Sequence, residues 1–99
     1  MTDKAWKQCE RRVAKYIGGT RIPITGRQRG DAADIDHAWL SPEVKYRKQL
    51  PEWIKDAMRQ AKASARSNQT PIVIICEKGA DVGRAWAIFE LEEVRDRWL

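Results

Sequence analysis

The sequence predicts an α/β protein, an α+β mixed sheet flanked by helices, with its elements in the order αβββαββα. Three observations predict it. Apolar residues recur at helical spacing near the N-terminus and again after Pro51; β-formers alternate with polar residues between positions 21 and 47; and a β-branched run follows at Pro71–Cys76. A meander of three strands, a crossover helix and a further buried strand then imply strands of both directions in one sheet.

Each element has a local reason. From Thr2 or Asp3 as N-cap, Trp6, Cys9, Val13, Tyr16 and Ile17 form one apolar helical face, and Gly18-Gly19 supplies the stop, so the first helix runs to about Ile17. Arg21–Thr25 alternates as a short strand placed at an edge by Pro23, and Gly26–Gly30 is a basic loop carrying Arg27 and Arg29. Ala33–Ala38 and Leu40–Arg47 read as a tight hairpin around Trp39, because Ile35, Val44 and Tyr46 favour strands and polar residues separate them. Pro51 suits the start of a second helix, whose stripe of Ile54, Ala57, Met58, Ala61 and Ala65 is broken by Ser67-Asn68-Gln69. Pro71–Cys76 lacks polar alternation and so reads as a central strand covered on both faces, with Ala85–Phe89 as its neighbour after a Gly79–Gly83 turn. From Leu91 onward a last short helix carries Leu91, Val94 and Trp98 inward.

Size and charge exclude several classes. A chain of 99 residues is expected to form one domain, with room for a core but not for separate nucleotide and substrate domains. The net charge of +5 favours an acidic partner such as nucleic acid. Residues 1–50 hold 11 basic and 6 acidic side chains, residues 51–99 hold 8 of each, so the excess sits in the first half. The longest apolar run is far below the roughly 20 residues of a membrane span, and Met-Thr-Asp-Lys lacks an export signal's apolar region, so no membrane partner is expected. Cys9 and Cys76 stand alone with one histidine in the chain, which supports neither a disulfide framework nor structural zinc and suits a reducing cytoplasm. Both cysteines are expected as small core residues.

The segment that carries chemistry is Asp34-Ile-Asp-His-Ala-Trp-Leu-Ser-Pro-Glu-Val-Lys45. Residues two apart on a strand share a face, so Glu43 and Lys45 point together while Val44 points into the core. A hairpin brings Asp34 or Asp36 next to Glu43, and paired carboxylates are an oxygen-ligand site for Mg²⁺ or Mn²⁺. Such an ion activates water and neutralises charge on a phosphodiester, and a neighbouring lysine stabilises the charge added in the transition state. With no such ion, Glu43 and Lys45 are an exposed ion-pair face worth a fraction of a kcal/mol.

The ordered set Glu10-Arg-Arg-Val-Ala, Thr25-Gly26, Asp34-Ile35, Glu43-Val44-Lys45 and Gln60-Ala61 resembles the PD-(D/E)XK nuclease superfamily, and within it the archaeal-type Holliday-junction resolvases and their small phage relatives. Ala33 stands where the superfamily's name has proline. The resemblance covers residues 10 to about 90 and implies a single restriction-endonuclease-like αβββαββ core, with the short last helix appended. It implies Glu10, Asp34, Glu43, Lys45 and Gln60 as the catalytic set. Asp34, Glu43, the Val44 carbonyl and Glu10 would surround Mg²⁺, for which Mn²⁺ substitutes, and Lys45 would stand at the attacking water. Asp34 is preferred over Asp36, the alternative ligand, because it matches Asp-Ile and leaves Ile35 to the core. Phosphates would be gripped by Arg11, Arg12 and Lys15, by Thr25, Arg27 and Arg29, and by Tyr46, Arg47 and Lys48. The partners implied are branched DNA and a second copy of the chain, with no organic cofactor, in recombination or repair in a prokaryotic or phage-infected cytoplasm. Flaps, nicks and duplex ends are alternative substrates, and a non-catalytic DNA-binding module is the alternative role.

The remaining signals have plainer readings. His37 is expected to pack or hydrogen-bond beside Trp39 rather than to catalyse. Trp6 and Trp86 fall in apolar registers and are expected in the core, whereas Trp39 and Trp53 suit a contact surface. Trp53, Trp86 or Trp98 would supply the apolar surface of a dimer.

Overall fold

The computed structural model describes residues 4–23 and 33–99. It is mixed α/β, and among the described residues it has three helices, one 3₁₀ turn and two two-stranded antiparallel sheets, in place of the one sheet of mixed direction that the sequence predicts. Two compact units divide the chain, one of Met1–Lys48 with Leu99 and one of Gln49–Trp98.

In the first unit, α1 spans Ala5–Ile17, and Lys4 O receives the first helical N–H groups, from Lys7 at 3.0 Å and Gln8 at 3.2 Å. The expected N-cap residues, Thr2 and Asp3, lie outside the described residues. Gly18 ends the helix at φ 80°, a left-handed conformation that glycine adopts without a Cβ penalty. Gly18 N–H donates to Lys15 O at 3.4 Å and Gly19 N–H to Ala14 O at 2.8 Å, the paired closure that satisfies two terminal carbonyls. The next carbonyl that matters is Ile17 O. It lies 2.9 Å from His37 Nε2.

The ring of His37 has its hydrogen placed by its partners. Nδ1 faces the backbone N–H groups of Leu40 at 3.2 Å and Trp39 at 3.3 Å, so it accepts, and Nε2–H donates to Ile17 O. The structural role expected of His37 is met, including an edge-on contact with Trp39 at 5.9 Å.

The strand pair beside α1 is short. β1 is Thr20–Arg21 and β2 is Ile35–Asp36, with Thr20 opposite Asp36 and Arg21 opposite Ile35; Ile22 N–H extends the pairing to Asp34 O at 2.9 Å. Ile35, at 1% exposure, packs with Ala14 and Ile17, and Val13, Tyr16, Leu40 and Val44 surround this small core. β1 starts at Thr20, before the expected Arg21, and Thr25, Arg27, Arg29 and the rest of the basic loop lie outside the described residues.

The expected strand Leu40–Arg47 is not formed. The cause is local. Pro42 has no N–H to give; its carbonyl accepts from Asp34 N–H at 3.2 Å; and Val44 N–H donates to the Asp34 carboxylate at 2.6 Å instead of to a backbone carbonyl. A side chain therefore takes the place of a ladder partner.

In the second unit, Pro51 is the N-cap of α2, Glu52–Ser64, and its carbonyl accepts from Ile54 N–H and Lys55 N–H at 3.1 and 3.3 Å. Lys55 and, with it, Arg59 hold the Glu52 carboxyl below its ordinary range, and Asp56 and Glu52 raise Arg59. β3, Val73–Ile75, pairs antiparallel with β4, Trp86–Ile88, and α3, Leu91–Trp98, follows, its Trp98 edge-on to Phe89 at 5.0 Å. Val73 is buried, but the run expected to be covered on both faces is not: Ile74 is 60% exposed, and Cys76 is exposed as well. Trp86, expected in the core, is 73% exposed. Leu91 and Trp98, expected inward, keep substantial exposure, and Val94 is half-buried. A β-branched run specifies extended backbone, and what covers it depends on elements distant in sequence.

Among the described residues, no helix is long and apolar enough to cross a membrane.

Candidate metal-binding cleft

One cleft in the first unit, of about 330 Å³, is lined by Trp6, Glu10, Asp34, Glu43, Val44, Lys45, Tyr46 and Arg47. Three chain segments supply these residues. Trp6 and Glu10 are one helical turn apart on the same face of α1, Asp34 immediately precedes β2, and 43–47 is a segment without regular structure that Val44 N–H ties to Asp34.

Two carboxylates are buried, Glu10 at 5% exposure and Asp34 at 2%. Burying a carboxylate costs heavily unless it is paired, and each has a partner. Arg21 Nε–H donates to Glu10 Oε1 at 2.7 Å, and Asp34 Oδ2 accepts the Val44 N–H. Glu43 and Lys45 form an ion pair of 3.0 Å on the exposed rim. Tyr46 is half-exposed, and Arg47 turns its Nη1 onto the Tyr46 carbonyl at 3.1 Å.

The cleft brings together Glu10, Asp34, Glu43, Val44 and Lys45 from the catalytic and metal set, with Tyr46 and Arg47 from the phosphate set. Asp36 is exposed and does not line it. Gln60 is exposed on α2 in the second unit, where its carbonyl accepts from Ser64 Oγ at 3.0 Å. Arg11, Arg12 and Lys15 are exposed along α1, and Lys48 is exposed at the end of the first unit.

Sequence reasoning passed over Arg21, and it placed Trp6 in the core, whereas Trp6 is half-buried and forms part of the cleft wall. The signal for Arg21 was its place just after Gly18-Gly19: a helix that reverses there sends the next strand back along its own face, toward Glu10. Arg21 also lies over the Trp6 ring, 5.8 Å from Cζ to centroid.

The resemblance implies a divalent cation, and the donor chemistry fits one. Carboxylate oxygens suit a hard cation, and Mg²⁺ keeps several of its waters and is commonly held by one or two carboxylates together with substrate phosphate. Among the described residues, no three His, Cys, Asp or Glu side chains are grouped so as to hold a metal ion. Comparison with known proteins found no matching family model, no curated protein and no solved structure.

Proposed function

We propose that this chain is a metal-dependent, structure-selective DNA endonuclease of the PD-(D/E)XK type that resolves four-way junctions by phosphodiester hydrolysis, working as a homodimer in the cytoplasm. What carries the reading is one observation: Glu10, Asp34, Glu43 and Lys45, separated by up to 35 positions in the chain, line the same cleft. Asp34 and Glu43 would hold Mg²⁺, with Glu10 and the Val44 carbonyl as further oxygen donors. Such a cation, when bound there, would supply an activated water and neutralise phosphate charge.

The chain's own groups do the rest. Val44 N–H holds the Asp34 carboxylate in place, and Arg21 holds Glu10, so both anions are fixed before substrate arrives. Lys45, paired with Glu43 at 3.0 Å on the cleft rim, would direct its ammonium at the attacking water or the reacting phosphate. Arg47 and Tyr46 on the same wall meet the strand that carries that phosphate.

The test is cleavage of a four-way junction with Mg²⁺ by Glu43→Ala and Lys45→Ala. Each is expected to lose at least about 100-fold in cleavage while junction binding persists. Full cleavage by either variant, with binding unchanged, overturns the assignment.

A further inference from the structure

The loss of the expected strand changes what lines the cleft. On a strand, Lys45 and Tyr46 would project to opposite sides. Residues 43–47 have no regular structure, and Glu43, Lys45 and Tyr46 all line the same cleft. A phenol ring therefore shares the cleft with the ammonium and the carboxylates that the nuclease reading uses.

This ring is uncommitted. Tyr46 is 49% exposed, and among the described residues its ring makes no aromatic or cation contact and its hydroxyl no hydrogen bond. Its carbonyl accepts from Arg47 Nη1 at 3.1 Å, a bond that leaves the ring untouched. Trp6, the other aromatic of the cleft, is half-buried and has Lys7 Nζ and Arg21 Cζ over its ring, 5.5 and 5.8 Å from the centroid. Of the two, Tyr46 has the face to give. The cleft volume of about 330 Å³ is at the small end for a ligand site. It suits one nucleotide and not two paired strands.

We infer that Tyr46 stacks on a single nucleobase next to the scissile phosphodiester, and that the preferred substrate is DNA in which that base is already unstacked. Resting on the nuclease reading, this contact narrows the substrate. A base inside continuous duplex must first leave the stack, a cost that the branch point of a junction does not carry in full. Every nucleobase has a π-face, so the contact selects structure and not sequence. Phosphate contacts, which duplex and junction offer alike, position the strand without making that distinction.

The experiment first maps the scissile phosphate with the unsubstituted full chain, a four-way junction and Mg²⁺. Affinity is then measured without divalent metal for that junction and for a duplex carrying the same sequence around the cut. Tyr46→Leu is expected to bind the junction about tenfold more weakly, the loss of one base–aromatic stack, with duplex affinity unchanged. Tyr46→Phe keeps the ring and is expected to bind as the parent does. An abasic nucleotide on one side of the mapped phosphate should weaken the unsubstituted protein about tenfold as well, and Tyr46→Leu should lose nothing further on that junction. The abasic arm uses the unsubstituted protein, so it decides even where a substitution disturbs the cleft. Equal losses in Tyr46→Phe and Tyr46→Leu show a hydroxyl contact to phosphate and overturn the stacking role. An equal loss on junction and duplex overturns it, as does full affinity for junctions made abasic on either side of the cut. Each of these results leaves the nuclease reading intact where metal-dependent cleavage of the junction persists. Failure of the unsubstituted protein to cleave any junction overturns both.

Discussion

Arg21 and Glu10 form a buried ion pair, Nε to Oε1 2.7 Å, with side chains 12% and 6% exposed. Removing one partner of such a pair leaves the other charge buried without compensation. Arg21→Ala is therefore expected to lower unfolding stability by about 3 kcal/mol. Replacing both partners with apolar residues, as Arg21→Met with Glu10→Leu, should recover most of that loss, because it removes the desolvation cost with the attraction. Urea denaturation of Arg21→Ala and of the double variant checks this. A single variant as stable as the parent would mean that water reaches the pair freely.

Gly19 is required by a close approach. A Cβ there would lie 2.6 Å from the Asp36 carbonyl oxygen and 2.8 Å from Ile35 Cγ2. The first of these atoms is backbone and cannot rotate away. Gly19→Ala is expected to cost about 1–3 kcal/mol by forcing β2 off α1. Ile35 and the neighbouring Asp34 would move with it, so the chemical shifts of Val44 N–H, which reports the Asp34 hydrogen bond, should change as well. Thermal unfolding together with the amide spectrum tests both statements.

The parts of the fold written in contiguous residues are legible in the sequence. The end of α1 is one: Gly18-Gly19 announces the stop, and both glycines are used, one for its positive φ and one for space. The alternation at Asp34-Ile35 is another, since it sends the carboxylate to the cleft and the isoleucine to the core. Within the site, Glu43 and Lys45 meet as an ion pair, although the strand expected to present them together is not formed. What is not legible depends on partners far along the chain. Val44 and Tyr46 favour a strand, but no propensity registers that the Asp34 side chain claims Val44 N–H. Ile72–Cys76 carries the same pattern whether one face or two are covered, and in the structure Ile74 faces outward. Arg21 reads as an edge-strand residue until the reversal at Gly18 lays it against Glu10, eleven positions back.

Asp34 has two separable roles, and substitutions can divide them. Its Oδ2 accepts the Val44 N–H at 2.6 Å, which ties 43–47 to β2; its negative charge, in the proposed reaction, holds the cation. Asparagine keeps a carbonyl oxygen able to accept the same N–H but carries no charge. Alanine removes both and leaves the Val44 N–H without that acceptor. Asp34→Ala is expected to cost about 1–3 kcal/mol from the unsatisfied donor, and Asp34→Asn less than about 1 kcal/mol. For metal-dependent cleavage the two variants should be equally poor, since either one removes the anion. Denaturation midpoints set against junction cleavage in Mg²⁺ separate the roles: stability should rank parent, asparagine, alanine, while activity falls at the first substitution. An Asp34→Asn protein that cleaves normally would assign Asp34 to the fold alone and leave the cation to Glu10 and Glu43.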